Sequence, residues 1–318
     1  MSAQKEKVLV VVLAETRAHE LTFESFKASL LDGYSADLAL CVAKNSREDA
    51  SNPFYSNAKY VWSYPEPEDW GDAFDDAQRT LGATGNWRRL LEIRNQWLGG
   101  IKGAHQHPGS AGILLYFRWF LKQRLISEGV LDNYDRFIIT RSDFVHTVPS
   151  PPLELLAGDK IWIPYGEFYG GYTDRHIVAG RSHIVPVLSI ADPILARPDE
   201  LYSKMHGRKD WNLERYIKFA FRDQGLEASV DFLPYTMYSV RALSGHTRWQ
   251  AGTFHEDLGY FVKYQGEYSR ARLARRVIGS SGEWTPFKMW ALLRLVDAKE
   301  GVGTLRRRLR RAVKRSTT

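Results

Sequence analysis

The chain has 318 residues, of which 44% are hydrophobic and 25% charged, a balance typical of a globular protein and not of a disordered one. The net charge of +7 comes from the C-terminus, because residues 304–318 carry seven basic side chains and no acidic one. Residues 1–303 are therefore formally neutral, and we expect no nucleic-acid partner, since such proteins carry a basic face on the fold itself. The single cysteine, Cys41, excludes an intrachain disulfide framework and favours a reducing compartment.

The hydrophobic pattern predicts strands that alternate with helices. Apolar runs predict strands at 7–14, 37–43, 59–63, 137–140, 161–164 and 230–240, and helical periodicity covers 21–31, 111–127 and 211–221. This alternation indicates an α/β domain over residues 1–285, with a mostly parallel sheet flanked by helices. Ligands of such sheets bind beyond the C-terminal ends of the strands, where Arg17, Tyr64 and Asp143 are expected.

The clearest chemical motif is Arg141-Ser142-Asp143, directly after the strand at 137–140. An aspartate in this position can hold Mg²⁺ or Mn²⁺, which prefer oxygen ligands and also bind substrate phosphates. Arg141 would then pair with phosphate or hold Asp143 in place. The alternative interpretation is a structural salt bridge between the two side chains.

Residues 109–180 resemble a group of bacterial and viral glycosyltransferases, the WavE-like lipopolysaccharide-synthesis proteins and the chlorovirus capsid glycosyltransferases. The resemblance lies in the segments GSAGILLYFRWFLKQRLI, YDRFIITRSDF and IWIPYGEFYGGYTDRHIVAG. It implies a GT-A (Rossmann-like) fold, a nucleoside-diphosphate sugar as donor, and Mn²⁺ or Mg²⁺ as cofactor. The chain departs from the Asp-x-Asp motif of many GT-A enzymes, because Arg141 stands at the first acidic position.

The resemblance also implies metal ligands. Asp143 matches the last position of the Asp-x-Asp motif, and His255 is the candidate for the late histidine that GT-A enzymes often bring to the metal or diphosphate. A metal offsets the charge of the departing diphosphate as a Lewis acid. We therefore expect replacement of Asp143 by alanine to abolish transfer and to leave the fold intact.

The donor-binding residues are predicted at strand ends and at a glycine pair. Arg17 follows the first strand, and Tyr64 follows the third, where an aromatic ring can stack on a nucleobase. Gly170 and Gly171 would let the backbone approach a ligand closely, with a plain turn as the alternative. Arg141 completes this predicted donor site.

Three carboxylates are candidates for the base that activates the acceptor hydroxyl, namely Asp174, Asp210 and Glu214. Asp210 and Glu214 flank Trp211, a possible acceptor platform, and their i,i+4 spacing places them on one face of a helix. The alternative is that Asp174 and Asp210 cap helices while Glu214 is solvated. The sequence does not distinguish among the three as the base. Because a carboxylate base is available and no residue stands out as a nucleophile, inversion at the anomeric carbon is favoured.

Residues 286–318 are predicted to form an amphipathic, basic, helical tail. Leu305, Leu309 and Val313 recur among arginines, a pattern typical of helices at anionic membrane surfaces, and a solvated basic end is the alternative. No stretch approaches the roughly 20 apolar residues of a membrane-spanning helix.

Together, the motifs and the resemblance predict a metal-assisted hexosyl- or deoxyhexosyltransferase. Its acceptor would be a surface-polysaccharide or lipopolysaccharide glycan, free or lipid-linked. It would act in the cytoplasm, with the tail at the inner face of the membrane. The alternative is a non-catalytic glycan- or membrane-binding module on the same fold.

Overall fold

The computed structural model describes residues 5–44, 51–94, 96–103, 108–243, 250–279 and 282–297. The strands are β1 Val8–Ala14, β2 Asp37–Lys44, β3 Ala58–Pro65, β4 Arg136–Thr140, β5 Phe144–His146, β6 Ile161–Pro164, β7 Ile177–Gly180, β8 Val230–Leu233, β9 Met237–Arg241, β10 Thr253–His255 and β11 Tyr260–Val262. The helices are α1 His19–Phe26, α2 Pro53–Ser56, α3 Trp70–Thr80, α4 Ala111–Ser127, α5 Arg181–Leu188, α6 Asp192–Ala196, α7 Pro198–Met205, α8 Leu213–Asp223 and α9 Gln265–Ile278. Residues 286–297 are also helical.

The larger sheet has seven strands in the order β3-β2-β1-β4-β7-β6-β8. The first four are mutually parallel, β6 and β8 are parallel to each other, and β7 runs antiparallel to both its neighbours. The predicted α/β class, with a mostly parallel sheet between helices, is confirmed, and the architecture is consistent with the Rossmann-like fold that the resemblance implies. The chain winds from β1 towards β3 on one side and resumes at β4 on the other. The connections after β1 and β4 therefore continue to opposite sides of the sheet, and a crevice forms at the C-terminal ends of these two strands.

Strand β1 is buried on both faces, which explains why its sequence VLVVVLA shows no polar alternation. Its side chains point to opposite faces in turn, because the period of a strand is two residues. Leu9 and Val11 pack in the core cluster that contains Phe117 of α4. Val10 and Val12 pack in the second cluster, with Phe26 of α1. The resulting three layers hold the ends of β1 and β4 in fixed positions.

A smaller sheet joins the larger one through the segment between β4 and β5. Its four strands follow the order β10-β11-β9-β5, and their pairs are antiparallel. The backbone N–H of Val240 donates to the carbonyl of Asp143 at 2.9 Å, so the end of β9 lies beside the start of β5. This pairing brings Arg241, the last residue of β9, next to Asp143.

The predicted tail begins with a helix that packs on the body. Residues 286–297 bury Met289, Leu292 and Val296, and they expose Phe287, Trp290 and Leu295. The basic part of the tail, 304–318, lies outside the described residues. Within the described part of the chain, no helix has the length and apolar character needed to cross a membrane.

Candidate functional site

A cleft lies at the C-terminal ends of β1 and β4, where the strand order reverses. The inner part is lined by the loops after these strands, by Trp70 and Glu66, and by Lys263, which follows β11. The outer part is lined by Asp174, Glu214 and the residues around them. Both parts share Ser110, Leu114, Arg141 and Lys263, and they therefore form one continuous cleft.

The loops after β1 and β4 are clamped together by Ser142. Its hydroxyl donates to the carbonyl of Glu15 at 3.0 Å and accepts from the backbone N–H of Arg17 at 2.8 Å. The β1 loop is bounded by Ala14 and Ala18, whose φ angles of 75° and 54° lie in a region that non-glycine residues rarely adopt. Strained backbone of this kind is held by its surroundings and is common at functional sites. The clamp places Arg17 at the cleft, as predicted, while its binding role stays a prediction.

Asp143 is buried in an ion pair with two arginines. Its Oδ1 accepts from Nε of Arg141 at 2.9 Å, and its Oδ2 accepts from Nη2 of Arg141 at 2.9 Å and from Nη1 of Arg241. Burial by itself would raise the pKa of Asp143, but Arg141 and Arg241 hold this pKa well below its usual range. The carboxylate is therefore ionised at neutral pH, and both of its oxygens are occupied.

These contacts do not fit a divalent cation at Asp143, because a metal would have to displace a bidentate guanidinium group. His255 does not lie beside Asp143: it belongs to β10, with two strands between it and β5, and it contacts Gln265. Among the described residues, no group of three or more His, Cys, Asp or Glu side chains could hold a metal ion. The expected pairing of Asp143 with His255 is thus wrong, and the metal itself stays a prediction.

The inner part of the cleft carries several basic side chains. Arg17 is paired with Glu15, and burial lowers the pKa of Arg17 while Glu15 raises it. Burial, followed by repulsion from Arg141 and Arg241, lowers the pKa of Lys263 to about 6. Within the described part of the chain, the Lys263 ammonium group has no hydrogen-bond partner, and Nε and Nη2 of Arg241 are also buried without one. This end of the cleft is suited to an anion.

The outer part of the cleft holds a pair of carboxylates around Arg175. Its guanidinium lies 4.0 Å from Oδ1 of Asp174 and 3.9 Å from Oε1 of Glu214, and it donates to Oε1 of Glu267 at 2.8 Å. The ring of Tyr264 stacks on the guanidinium at 3.9 Å. Burial, and then the charge of Asp174, raise the pKa of Glu214 to about 7, although Arg175 lowers it. Glu214 therefore has the properties of a general base that works near neutral pH.

The structure does not bring Asp210 to the cleft. Asp210 is exposed and forms ion pairs with Arg208 and Arg215. It precedes α8, whose N-cap is Asn212, so the helical spacing that would place Asp210 and Glu214 on one face does not apply. Trp211 is buried and donates to a backbone carbonyl, so it offers no acceptor platform. The assignment of Asp210 as a candidate base is therefore wrong.

The glycine pair approaches the protein's own helix and not a ligand. Gly170 has a φ of 90°, and a side chain there would meet the guanidinium of Arg215. A Cβ on Gly171 would overlap the backbone carbonyl of Glu214, the same carbonyl that accepts from the N–H of Tyr172 at 2.9 Å. The glycines thus let this loop pack on the first turn of α8, where they position Glu214, and neither glycine lines the described cleft.

Tyr64 likewise does not line the described cleft. Its ring packs against Trp70 and Tyr116, and its hydroxyl donates to Asp76 at 3.1 Å. Strand β3 directs this side chain towards α3 and α4, so Tyr64 belongs to the core beside the cleft. Trp70 lines the cleft instead, and its Nε1 is buried without a partner among the described residues.

Sequence reasoning missed the residues that come from the smaller sheet and from α9. Arg241 and Lys263 reach the site through antiparallel strand pairing, and Glu267 reaches it from α9, and no sequence motif indicates either arrangement. Arg175 could have been predicted from the sequence. It directly follows Asp174, and a buried arginine is expected to pair with a carboxylate.

Comparison with known proteins assigns no family to the chain. No protein-family model matches it, and no curated protein matches its sequence, so the resemblance to WavE-like and chlorovirus proteins is not confirmed. Among solved structures, the apo form of mouse xyloside xylosyltransferase 1 aligns with 72% of this chain and 85% of that chain, at 11% identity and a TM-score of 0.34. A similarity at this level carries no inference about activity.

Proposed function

We propose that the protein is a glycosyltransferase that moves a hexosyl or deoxyhexosyl unit from a nucleoside-diphosphate sugar to a surface-polysaccharide or lipopolysaccharide acceptor. One observation carries the proposal: a single cleft at the strand-order reversal has positive side chains at its inner end and a carboxylate with a raised pKa at its outer end. The positive end suits a diphosphate leaving group, whose charge grows as the sugar–phosphate bond breaks. The sequence resemblance supports the class of acceptor.

The two ends of the cleft suggest a single displacement. The acceptor hydroxyl attacks the anomeric carbon while Glu214 takes its proton, and the bond to the diphosphate breaks with its electron pair on the leaving oxygen. Arg141 and Lys263 offset the charge that develops there. Attack from the face opposite the leaving group inverts the anomeric carbon. The predicted Mn²⁺ or Mg²⁺ has no group of three or more His, Cys, Asp or Glu side chains to hold it among the described residues.

The test is transfer from a panel of nucleoside-diphosphate sugars, measured as release of nucleoside diphosphate, with wild-type protein and the Glu214→Gln variant. We expect one donor to turn over and the variant to lose at least about a hundredfold in kcat, the usual contribution of a general base. Binding of a donor without turnover would favour the non-catalytic glycan-binding module. Absence of binding by any nucleotide sugar would contradict the glycosyltransferase and favour the non-catalytic glycan- or membrane-binding module.

We also propose that the protein docks on the inner face of an anionic membrane. The helix 286–297 exposes Phe287 (71%) and Trp290 (55%), whose rings stack 6.0 Å apart, and Leu295 (47%). This apolar face is followed in sequence by the basic segment 304–318. Apolar residues beside a cationic segment are typical of surfaces that bind lipid headgroups, and they would place the cleft near a lipid-linked acceptor.

A further inference from the structure

Two basic side chains, Arg141 and Lys263, line both parts of the cleft. Resting on the proposed function, we propose that Arg141 and Lys263, at the N-terminus of α4, bind the donor's diphosphate directly and without a bridging divalent cation. Asp143 is then a positioning residue for the guanidinium groups and not a metal ligand.

Asp143 orients Arg141 and leaves one of its edges available. The carboxylate binds Nε and Nη2 of Arg141, and Nη1 makes no hydrogen bond within the described part of the chain. The side chain of Arg141 is 18% exposed and lines both parts of the cleft. A guanidinium fixed on one edge loses little entropy when its free N–H groups bind a phosphate oxygen. Asp143 therefore prepares Arg141 for an anion while its own oxygens stay occupied.

Lys263 lies beside two arginines at the cleft and forms no ion pair with a carboxylate in the described part of the chain. It lines both parts of the cleft, close enough to Arg141 and Arg241 for repulsion to lower its pKa. The nearby carboxylates are already engaged, since Asp143 binds two arginines and Glu15 pairs with Arg17, while Glu66 lies in the wall on the β3 side. A diphosphate between Lys263 and Arg141 would raise this lowered pKa and hold Lys263 in its charged form.

Helix α4 adds the third element of the site. The helix is 17 residues long, and its N-cap Ser110 and first residue Ala111 line the cleft. The Ser110 side chain makes no capping hydrogen bond, and the N–H of Gly112 donates to the carbonyl of Gly99 at 2.9 Å, so only the other N–H groups of the first turn remain for an anion. Backbone N–H groups and the positive end of the helix dipole together favour an anion at this position.

Calorimetry of the full-length protein tests the proposal, with UDP, GDP and inorganic pyrophosphate titrated in excess EDTA. We expect at least one of the two nucleotides to bind under these conditions. Lys263→Met should weaken that binding by about tenfold or more, the effect of losing a hydrogen bond to a charged group. Lys263→Arg should retain most of the affinity, and Lys160→Met, directly before β6 and outside the lining of the cleft, should retain all of it.

The outcomes separate this proposal from the proposed function. Binding that appears only after Mn²⁺ or Mg²⁺ is added, or an affinity that Lys263→Met leaves unchanged, would overturn direct binding and leave the glycosyltransferase assignment intact. If neither the nucleotides nor any member of the nucleotide-sugar panel binds, with or without metal, both proposals fail.

Discussion

Glu214 is the side chain whose environment most directly sets a measurable pH dependence. Only its deprotonated form can accept a proton, and its pKa of about 7 in the free protein predicts that kcat/KM falls as pH falls through that value. Asp174→Asn removes a neighbouring negative charge, so it should lower the pKa of Glu214 and move the acid limb of the profile to lower pH. The measurement is kcat/KM against pH for both proteins.

The control for this profile is Asp210→Asn, which alters an exposed carboxylate outside the described cleft. It should leave the acid limb where the wild type has it. If Asp174→Asn and Asp210→Asn give the same profile, Asp174 does not act on Glu214, and the assignment of the base has to be abandoned.

Burial of Asp143 changes the expected effect of its replacement on the stability of the fold. Asp143→Ala leaves Arg141 and Arg241 without their counter-ion in a buried position, and breaking a buried pair costs about 3–5 kcal/mol. The expectation that this variant keeps its fold intact is therefore replaced by a prediction of reduced stability. Urea unfolding should show a lower midpoint at an unchanged slope.

Asp210→Ala is the comparison for that experiment, because an exposed ion pair contributes little to stability. Equal midpoints for the two alanine variants would show that the Asp143 ion pair does not support the fold. The stability of Asp143→Ala must be known before any loss of activity in this variant is attributed to chemistry.

The sequence predicted the position of some cleft residues correctly and of others wrongly, and the errors have one physical reason. The rule that ligands bind beyond the ends of parallel strands located the loops that carry Arg17 and Arg141, and the structure brings both to the cleft. The rule does not tell where a side chain points. Tyr64 and Asp210 lie near the correct loops but are directed into the core and into solvent, respectively.

At the scale of elements, the contact between the glycine loop and α8 controls the position of Glu214. Gly171→Ala would place a methyl group within the space of the Glu214 carbonyl, a backbone atom that cannot rotate away. The first turn of α8 must move, and overpacking of this kind costs about 1–3 kcal/mol. We expect a loss of kcat that exceeds what the loss of stability explains, measured at a temperature where the variant remains folded.

Gly207→Ala is the matched control, since no atom lies within 4 Å of the added methyl group. It should preserve both kcat and the unfolding midpoint. Normal activity of Gly171→Ala would mean that α8 tolerates displacement and that the glycines do not position the base.

The elements that the sequence predicted best are those with the strongest periodicity. The apolar run of β1 and the wide stripe of α4 identified a central strand and its covering helix, because burial on both faces leaves a clear pattern. The short strands β5, β10 and β11 have three residues each, too few for a period to be recognised. They bring Arg241 and Lys263 to the site, which is why the positive end of the cleft was incomplete in the sequence interpretation.

At the scale of the whole molecule, the helix 286–297 has one face that packs on the body and one face that is exposed. Met289 and Leu292 pack on the body and contribute to the fold, whereas Phe287 and Trp290 face outwards. Substitution of the outward pair should therefore leave the unfolding midpoint nearly unchanged. A variant with this property isolates membrane binding from stability.

The membrane prediction is tested by co-sedimentation with neutral and anionic lipid vesicles. Deletion of residues 304–318 should abolish the preference for anionic vesicles, because each basic residue contributes about 1 kcal/mol at such a surface. The double variant Phe287→Ser/Trp290→Ser should weaken binding to both kinds of vesicle, since it removes apolar burial and no charge. Phe254→Ser, at an exposed aromatic residue of β10, should bind like the wild type.

Salt dependence separates the two contributions further. Charge attraction is screened within about a Debye length, so raised ionic strength should release the protein with an intact tail from anionic vesicles only in part, leaving the apolar contribution. The same increase should have little effect on the deletion variant. If the double variant and the wild type partition equally onto vesicles at every ionic strength, the helix 286–297 is not a membrane surface, and the tail alone must account for any binding.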